Sequence, residues 1–154
     1  RQALADGIVG GFPVSDVRVI VYDGKSHAVD SKDIAFFTAG RKAVIEAVRA
    51  ATPIILEPIV DIEILAPESA VGDLSGDLSG KRGQITGTQG RGAGTLALNG
   101  KVPLAELDDY QGRLKSLTGG QGSYSISFSH YAAVPAATQQ QLASKHKVVG
   151  LEDD

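Results

Sequence analysis

The chain has 154 residues, of which 42% are hydrophobic and 21% charged, and its formal net charge at pH 7 is −3. This length excludes a large multidomain enzyme, and the negative charge excludes a general attraction to nucleic acid, so any RNA contact has to be local. No apolar run approaches the roughly 20 residues of a membrane span, so we expect a soluble protein that does not bind membranes. The absence of Cys excludes disulfides and thiolate metal sites, and it favours the cytoplasm. We expect no DNA partner.

The first residues follow a helical pattern over 1 to 9 that stops at Gly10-Gly11. The chain contains no Met and starts with Arg1 in what reads as the middle of a helix. No charged and then apolar signal-peptide pattern comes before it. We therefore expect the sequence to be a piece of a longer protein.

A strand and a second helix are predicted next. Apolar residues alternate over 14 to 22, as in a strand, and a helix is predicted over about 31 to 50 with Asp30 or Ser31 as its cap. This helix has to end at Thr52-Pro53, because a proline forces the residue before it out of helical dihedrals. One strand cannot cover two helices, so residues 1 to 52 predict an α-β-α remainder of a domain whose other strands lie elsewhere.

The composition turns β-rich after Pro53, and we place a domain boundary there. The periodicities over 53 to 135 predict strand, helix, strand, strand, helix and strand. The first helix is indicated by the spacing of Val71, Leu74 and Leu78, and the second begins at Pro103 and ends at Gly119-Gly120. This β-α-β-β-α-β order is that of a ferredoxin-like sandwich, so the fold class is α+β. The polar tail over 136 to 154 predicts one helix, near residues 138 to 146.

The motifs of enzymes are weak in this chain. Gly24-Lys25-Ser26 and Gly80-Lys81-Arg82 resemble the end of a phosphate-binding loop, but neither has the glycine that this motif needs five residues earlier. Asp73 and Asp77 belong to a repeated Gly-Asp-Leu-Ser unit that is typical of a solvated helix face. The histidines are far apart in the sequence, at positions 27, 130 and 146. We predict no catalytic residue, no metal site and no cofactor.

The ferredoxin-like order is shared with RNA-binding sheets, but the open face of the predicted sheet lacks the aromatic residues on which bases stack. By alternation it carries acidic groups such as Asp61 and Glu63, together with serines of the last strand. Its loops are more favourable, because flexible glycines beside exposed cations allow close approach to a phosphate backbone. The candidate contact residues are Lys81, Arg82, Gly83, Arg91, Thr118, Gly119, Gly120 and Gln121.

A series of short segments, in order along nearly the whole chain, resembles the C-terminal part of bacterial elongation factor G, a translational GTPase that drives ribosomal translocation. The segments are Gly7-Ile8-Val9, Gly11-Phe12-Pro13-Val14, His27 with Val29-Asp30-Ser31, Leu56-Glu57-Pro58-Ile59, Gly76-Asp77-Leu78, Arg82-Gly83, Val102-Pro103-Leu104 and Leu117-Thr118. The resemblance implies that residues 1 to 52 are the later part of domain IV, similar to a ribosomal protein S5 domain 2 fold. It implies that residues 53 to 135 are the ferredoxin-like domain V.

By resemblance, the chain is a ribosome-binding part of a translation factor that couples GTP hydrolysis to movement of tRNA and mRNA. The implied partners are large-subunit ribosomal RNA and the protein at the stalk base, and GTP and Mg are expected in another part of the parent protein. We therefore expect no enzyme activity from this part. The alternative from the residues alone is a free-standing ferredoxin-like regulatory module that binds a small ligand or a protein partner.

Overall fold

A computed structural model describes residues 1–28 and 32–145 of the chain. The helices are α1 (Gln2–Ala5), α2 (Asp33–Ala50), α3 (Val71–Gly80), α4 (Tyr110–Thr118) and α5 (Ala136–Ser144), and the strands are β1 (Leu56–Pro67), β2 (Gln84–Gly92), β3 (Thr95–Pro103) and β4 (Ser123–Ala133). The predicted caps Asp30 and Ser31, the segment Val29-Asp30-Ser31 and the tail from His146 lie outside the described residues. None of the described helices is long and apolar enough to cross a membrane.

The chain divides into two compact units, one of which is Leu56–Ala133. Its four strands form one antiparallel sheet in the order β2-β3-β1-β4. With α3 after β1 and α4 after β3, this order is that of the ferredoxin-like sandwich, which confirms the predicted fold class. The sheet is therefore open at two edges, β2 and β4.

The core of this unit forms where the strand and helix periodicities meet. Alternate residues of β1 and β3 point toward the helices, and the three- and four-residue spacing of leucines brings α3 and α4 onto the same layer. The buried residues of this core are Val60, Ile62, Ile64, Ala66, Ala70, Leu74, Leu78, Leu98, Val102, Leu107, Tyr110 and Leu114.

The helix predicted from Pro103 is interrupted. Leu104–Leu107 form a short 3₁₀ turn, and α4 begins only at Tyr110. Between them Asp109 has a φ of +53°, in the left-handed region, which a continuous right-handed helix does not allow. The predicted burying face is confirmed for Leu107, Tyr110 and Leu114, but it is wrong for Leu104, which is 42% exposed, and the break was not predicted.

The other unit comprises Arg1–Ile55 and the described residues from Val134 onward. Its core is small: Ala3, Ile8 and Ile45 are buried, with several partly buried Val and Leu residues around them. The C-terminal helix α5 belongs to it, since the side-chain amide of Gln139 accepts a hydrogen bond from the backbone N–H of Ile55 and donates one to the carbonyl of Pro53.

The strand predicted over 14 to 22 is not formed. Residues 17 to 22 are exposed and have no regular structure, and Val21 and Tyr22 are 86% and 95% exposed. A strand needs a neighbour for its backbone N–H and C=O groups, and within residues 1–28 and 32–145 no strand lies beside this segment. The period-two pattern was therefore misleading as a guide to local structure.

Candidate nucleic-acid interface

The sheet topology places the candidate residues at two opposite ends of the sheet. Gln84, the first residue of β2, is level with Lys101 near the end of β3, whereas Gly92 at the end of β2 is level with Thr95. The loop of Lys81 to Gly83 is therefore at the end where β1 begins, which we call the Lys81 end. Arg91 and the loop of Thr118 to Gln121 lie at the other end, because Ser123 is level with Leu65. The eight predicted residues do not form one site.

At the Lys81 end, Arg82 is held by two carboxylates. Its Nη1 and Nη2 donate to Oε1 and Oε2 of Glu57 at 2.6 and 3.0 Å, and its Nε donates to Glu106 Oε1 at 2.8 Å. The pKa of Arg82 is raised, and the hydrogen bond to Glu57 is the main cause. Burial acts in the opposite direction and lowers the pKa, and the hydrogen bond to Glu106 raises it further. Arg82 is thus not the free cation that the sequence predicted, and its positive charge is already compensated within the domain.

Glu57 and Glu106 were missed as parts of this site. Glu57 is only 8% exposed although it is an acid, and a buried carboxylate needs a partner of opposite charge. A usable signal was present, because Glu57 interrupts the apolar run of residues 54 to 60. The position of its partner, 25 residues away, could not be read from spacing.

Gly83 has a structural reason to be glycine. Its backbone N–H donates to the carbonyl of Leu78 at 2.8 Å, and a Cβ at this position would lie 2.6 Å from that same oxygen. Such a contact is impossible without moving backbone. The close approach ends α3 and directs the chain into β2, so Gly83 positions its two basic neighbours.

Lys81 is the candidate cation that keeps its charge available. It is partly exposed, its Nζ donates to the backbone carbonyl of Glu106 at 3.1 Å, and the same atom lies 5.9 Å from the ring centroid of Tyr110. No salt bridge to Lys81 is found among residues 1–28 and 32–145. An ammonium group has three donors, so donors remain for a phosphate oxygen.

Beside Lys81, helices α3 and α4 border a shallow groove of about 540 Å³. Gly76 and Gly80 line it, and a Cβ on either would meet open space, so these glycines leave the α3 backbone accessible. Arg113 on the α4 side donates from Nε to Asp77 Oδ1 at 2.8 Å while its own side chain is 55% exposed. The groove therefore combines an accessible backbone with Lys81 and the Arg113–Asp77 ion pair, and Asp73 also lines it.

Tyr110 lies beneath this end of the domain and is 1% exposed. Its ring meets that of Tyr124 edge to face at 5.2 Å, and its hydroxyl is buried with no hydrogen-bond partner in the described part of the chain. Burial, and after it the charge of Asp77, raise the pKa of Tyr110 to about 12. The Tyr110 ring that faces the Lys81 ammonium group is therefore neutral at ordinary pH.

At the opposite end, the predicted residues are mainly structural. Arg91 lies within β2, not in a loop, and its Nη2 donates to Glu63 Oε2 on the open sheet face at 2.9 Å. Thr118 is buried, and its Oγ1 donates to the carbonyl of Leu114 and accepts from the N–H of Gly122, both at 2.8 Å.

The loop after Thr118 is a helix-ending turn. Gly119 and Gly120 have φ values of +59° and +84°, and the N–H of Gly120 donates to the carbonyl of Lys115 at 2.8 Å. This left-handed turn closes α4 in the manner that favours glycine. Of the four predicted residues in this loop, only Gln121 offers an exposed side chain with polar atoms.

The remaining predictions concern metal sites and the sheet face. No group of three or more His, Cys, Asp or Glu that could hold a metal ion occurs within the described ranges. The open face of the sheet carries Asp61, Glu63 and the serines of β4, as the alternation predicted. It also carries Lys101, which was not predicted there and whose Nζ donates to Asp61 Oδ1 at 2.5 Å and to Ser129 Oγ at 2.8 Å. The Lys81 end is therefore the part of this unit best suited to meet a phosphate.

Comparisons with known proteins agree over most of the chain. Residues 1–52 match the family model of elongation factor G, domain IV, and residues 54–142 match that of the elongation factor G C-terminus. The chain is 40% identical over 147 residues to an elongation factor G-like protein of Thermotoga maritima and 46% identical over 145 residues to elongation factor G of Aquifex pyrophilus. These alignments cover 96% and 94% of this chain, but 22% and 20% of the relatives.

A solved structure of a protein from Thermus thermophilus is similar in fold, with a TM-score of 0.76 and 41% sequence identity. The match covers 94% of this chain and 22% of that one. The chain thus spans about a fifth of the length of the curated relatives that it matches.

Proposed function

The chain belongs to the elongation factor G family, and from this membership we propose that it binds the ribosome as the domain IV and C-terminal portion of a translation elongation factor. In this proposal its partners are large-subunit ribosomal RNA and the protein at the stalk base, and its place is the cytoplasm. The parent protein would couple GTP hydrolysis to movement of tRNA and mRNA. GTP and Mg would be bound outside this portion.

The observation that carries the proposal at the level of residues is the state of Lys81. Of the three cations predicted to contact phosphate, Arg82 and Arg91 are each paired with a carboxylate, whereas Lys81 donates to a backbone carbonyl and has no carboxylate partner among the described residues. Lys81 also borders a groove with an exposed glycine backbone. The proposal therefore places the phosphate contact of Leu56–Ala133 at Lys81.

A regulatory module that stands alone is less well supported. Such a module would need only the ferredoxin-like unit, whereas the family matches run in order from residues 1–52 to residues 54–142. No described residue cluster favours a small ligand over a phosphate backbone. We therefore retain the translation factor as the one proposed function.

The test is co-sedimentation of the chain with ribosomes over a range of salt concentrations. Lys81→Ala should weaken binding and reduce the slope of log affinity against log salt by roughly 0.7 to 0.9, the value expected when one phosphate is no longer neutralised. Lys115→Ala is the matched control, because Lys115 is an exposed lysine in the last turn of α4, toward the other end of the same unit. An equal slope for wild type and Lys81→Ala would overturn the assignment of Lys81, and no binding by the wild type would count against the function itself.

A further inference from the structure

The ion pair of Arg113 uses only one nitrogen of its guanidinium. Arg113 Nε donates to Asp77 Oδ1 at 2.8 Å, and no hydrogen-bond partner of Nη1 or Nη2 is found within residues 1–28 and 32–145. The Arg113 side chain is 55% exposed. Because a guanidinium has five N–H donors, the four donors on the two Nη atoms remain for another group.

Arg82 is paired in a different way. Its Nε, Nη1 and Nη2 all donate to carboxylates of the same unit. The edge formed by the two Nη atoms is the part of an arginine that binds a phosphate or carboxylate bidentately. This edge is occupied in Arg82 and accessible in Arg113, a residue that the sequence analysis did not select.

Asp77 fixes the place of Arg113. The Asp77 side chain is only 8% exposed, although its Gly-Asp-Leu-Ser repeat suggested a solvated helix face. Its Oδ1 accepts the bond from Arg113, and its Oδ2 is buried without a hydrogen-bond partner in the described part of the chain. A buried carboxylate needs a cation beside it, so Asp77 retains Arg113 at the groove between α3 and α4.

The charges of this α3–α4 groove change along α3. Asp73, Asp77 and Lys81 follow one another at intervals of four residues, which correspond to about 6 Å along a helix axis. The end at Asp73 has an exposed acid, whereas the part between Asp77 and Lys81 has Lys81 and Arg113 against one buried carboxylate. The half of the groove toward Lys81 is therefore the half that suits an anion.

We propose that Arg113 is a second phosphate-binding residue of the α3–α4 groove, held by Asp77 through Nε and binding a backbone phosphate of RNA through Nη1 and Nη2. Asp77 is then a positioning residue. This inference rests on the proposed function, because it takes ribosomal RNA as the source of the phosphate, and it adds to the contact of Lys81 one that depends on the shape of a guanidinium.

Co-sedimentation of the whole chain with ribosomes tests the role of the Nη atoms. Arg113→Lys keeps the positive charge, but its single ammonium group should pair with the buried Asp77 carboxylate and leave no donor fork for a phosphate. We expect Arg113→Lys to raise the dissociation constant about tenfold, as Arg113→Ala does. The matched control is Lys115→Arg, the reverse change at an exposed residue of the same helix, which should leave it unchanged. Thermal unfolding checks the fold of each variant.

Two variants of Asp77 test its positioning role. Asp77→Asn and Asp77→Ala remove the same negative charge, but only the Asn side chain keeps an oxygen that can accept the bond from Arg113 Nε. Asp77→Asn should therefore bind ribosomes about fivefold more tightly than Asp77→Ala. When Arg113→Ala is combined with each of them, this difference should disappear. Equal dissociation constants for the two variants in the presence of Arg113 would contradict the positioning role.

The outcomes separate this inference from the proposed function. No ribosome binding by the wild type would count against the function, whereas wild-type binding with an unchanged dissociation constant in Arg113→Lys would overturn the assignment of Arg113 alone. Wild type and Arg113→Lys are also compared on large-subunit ribosomal RNA freed of its proteins, where Arg113→Lys should again bind more weakly. Equal binding to that RNA, with unequal binding to ribosomes, would mean that Arg113 contacts a ribosomal protein and that the phosphate contact is wrong.

Discussion

Glu57 and Arg82 are 25 residues apart in the sequence, yet both oxygens of the carboxylate accept hydrogen bonds from the guanidinium, at 2.6 and 3.0 Å. Glu57 is the second residue of β1 and Arg82 follows α3, so the pair links the loop after α3 to the start of β1. The carboxylate is largely buried and the guanidinium is about one-third exposed. Arg82 therefore stabilises the folded unit, although its position in a loop suggested that it contacts a partner at the surface.

We predict that Arg82→Ala lowers the free energy of unfolding by about 1 to 3 kcal/mol, because Glu57 is left buried without its partner. Urea unfolding of the single variants Arg82→Ala and Glu57→Gln, and of the double variant, measures this. The double variant should lose less than the sum of the two, as expected for groups that act on each other. Additive losses would mean that the ion pair contributes nothing and that Arg82 is a solvated turn residue.

Substitution by alanine should change the stability in opposite directions at Gly76, within α3, and at Gly83, just after it. At Gly83 a Cβ would lie 2.6 Å from the carbonyl oxygen of Leu78, whereas at Gly76 it would meet nothing within 4 Å. We expect Gly76→Ala to stabilise the chain by about 0.5 to 1 kcal/mol, since Ala is the better helix former, and Gly83→Ala to destabilise it by about 1 to 3 kcal/mol.

The midpoint of urea unfolding distinguishes these glycine variants. Ribosome co-sedimentation with Gly76→Ala adds a second readout, because a methyl group in the α3–α4 groove should weaken binding if that groove contacts a partner closely. Equal midpoints for the two variants would contradict the close approach at Gly83.

The strand and helix periodicities predicted the ferredoxin-like unit well, because each apolar stripe there has a complete layer to pack against. The same reasoning failed at residues 17 to 22, where the pattern is as regular as in β1 but no described strand is available as a neighbour. Alternation identifies residues that can form a strand, and pairing decides whether they do.

Prediction of the candidate site was less complete. The sequence analysis grouped Lys81 and Gly83 with Arg91 and Thr118, which lie at the other end of the sheet. Loop position does not show which cation already has a partner, since the partners Glu57, Glu63 and Glu106 come from distant segments. Only the register of the strands separates the two ends.

Tyr110 should make the chain sensitive to alkali. Its pKa is about 12 in the fold against 10.0 ordinarily, because burial disfavours the phenolate. The stability that depends on a neutral Tyr110 is therefore fully present below about pH 10 and is lost as the pH rises toward 12, by up to about 3 kcal/mol. Tyr110→Phe should remove this part of the loss.

The measurement is the free energy of unfolding between pH 8 and the highest pH at which the chain still refolds, for wild type and Tyr110→Phe. Tyr22→Phe is the control, since Tyr22 is 95% exposed and should change nothing. Parallel pH profiles for wild type and Tyr110→Phe would show that the phenol ionises alike in the folded and unfolded chain.

Amide hydrogen exchange should be slow in the paired strands and fast in residues 17 to 22. Ile62 and Leu98 belong to paired strands, and their side chains are 2% and 0% exposed, so their amides should open only with unfolding of the unit. Residues 17 to 22 have no ladder partner in the described structure and expose most of their side chains, so their amides should exchange almost as fast as in an unstructured peptide. Mass-spectrometric exchange on peptides that cover 17 to 22 and 96 to 102 measures the difference. Comparable protection in the two peptides would mean that residues 17 to 22 pair with a strand after all, and repeating the experiment at several protein concentrations would reveal whether that strand comes from a second copy.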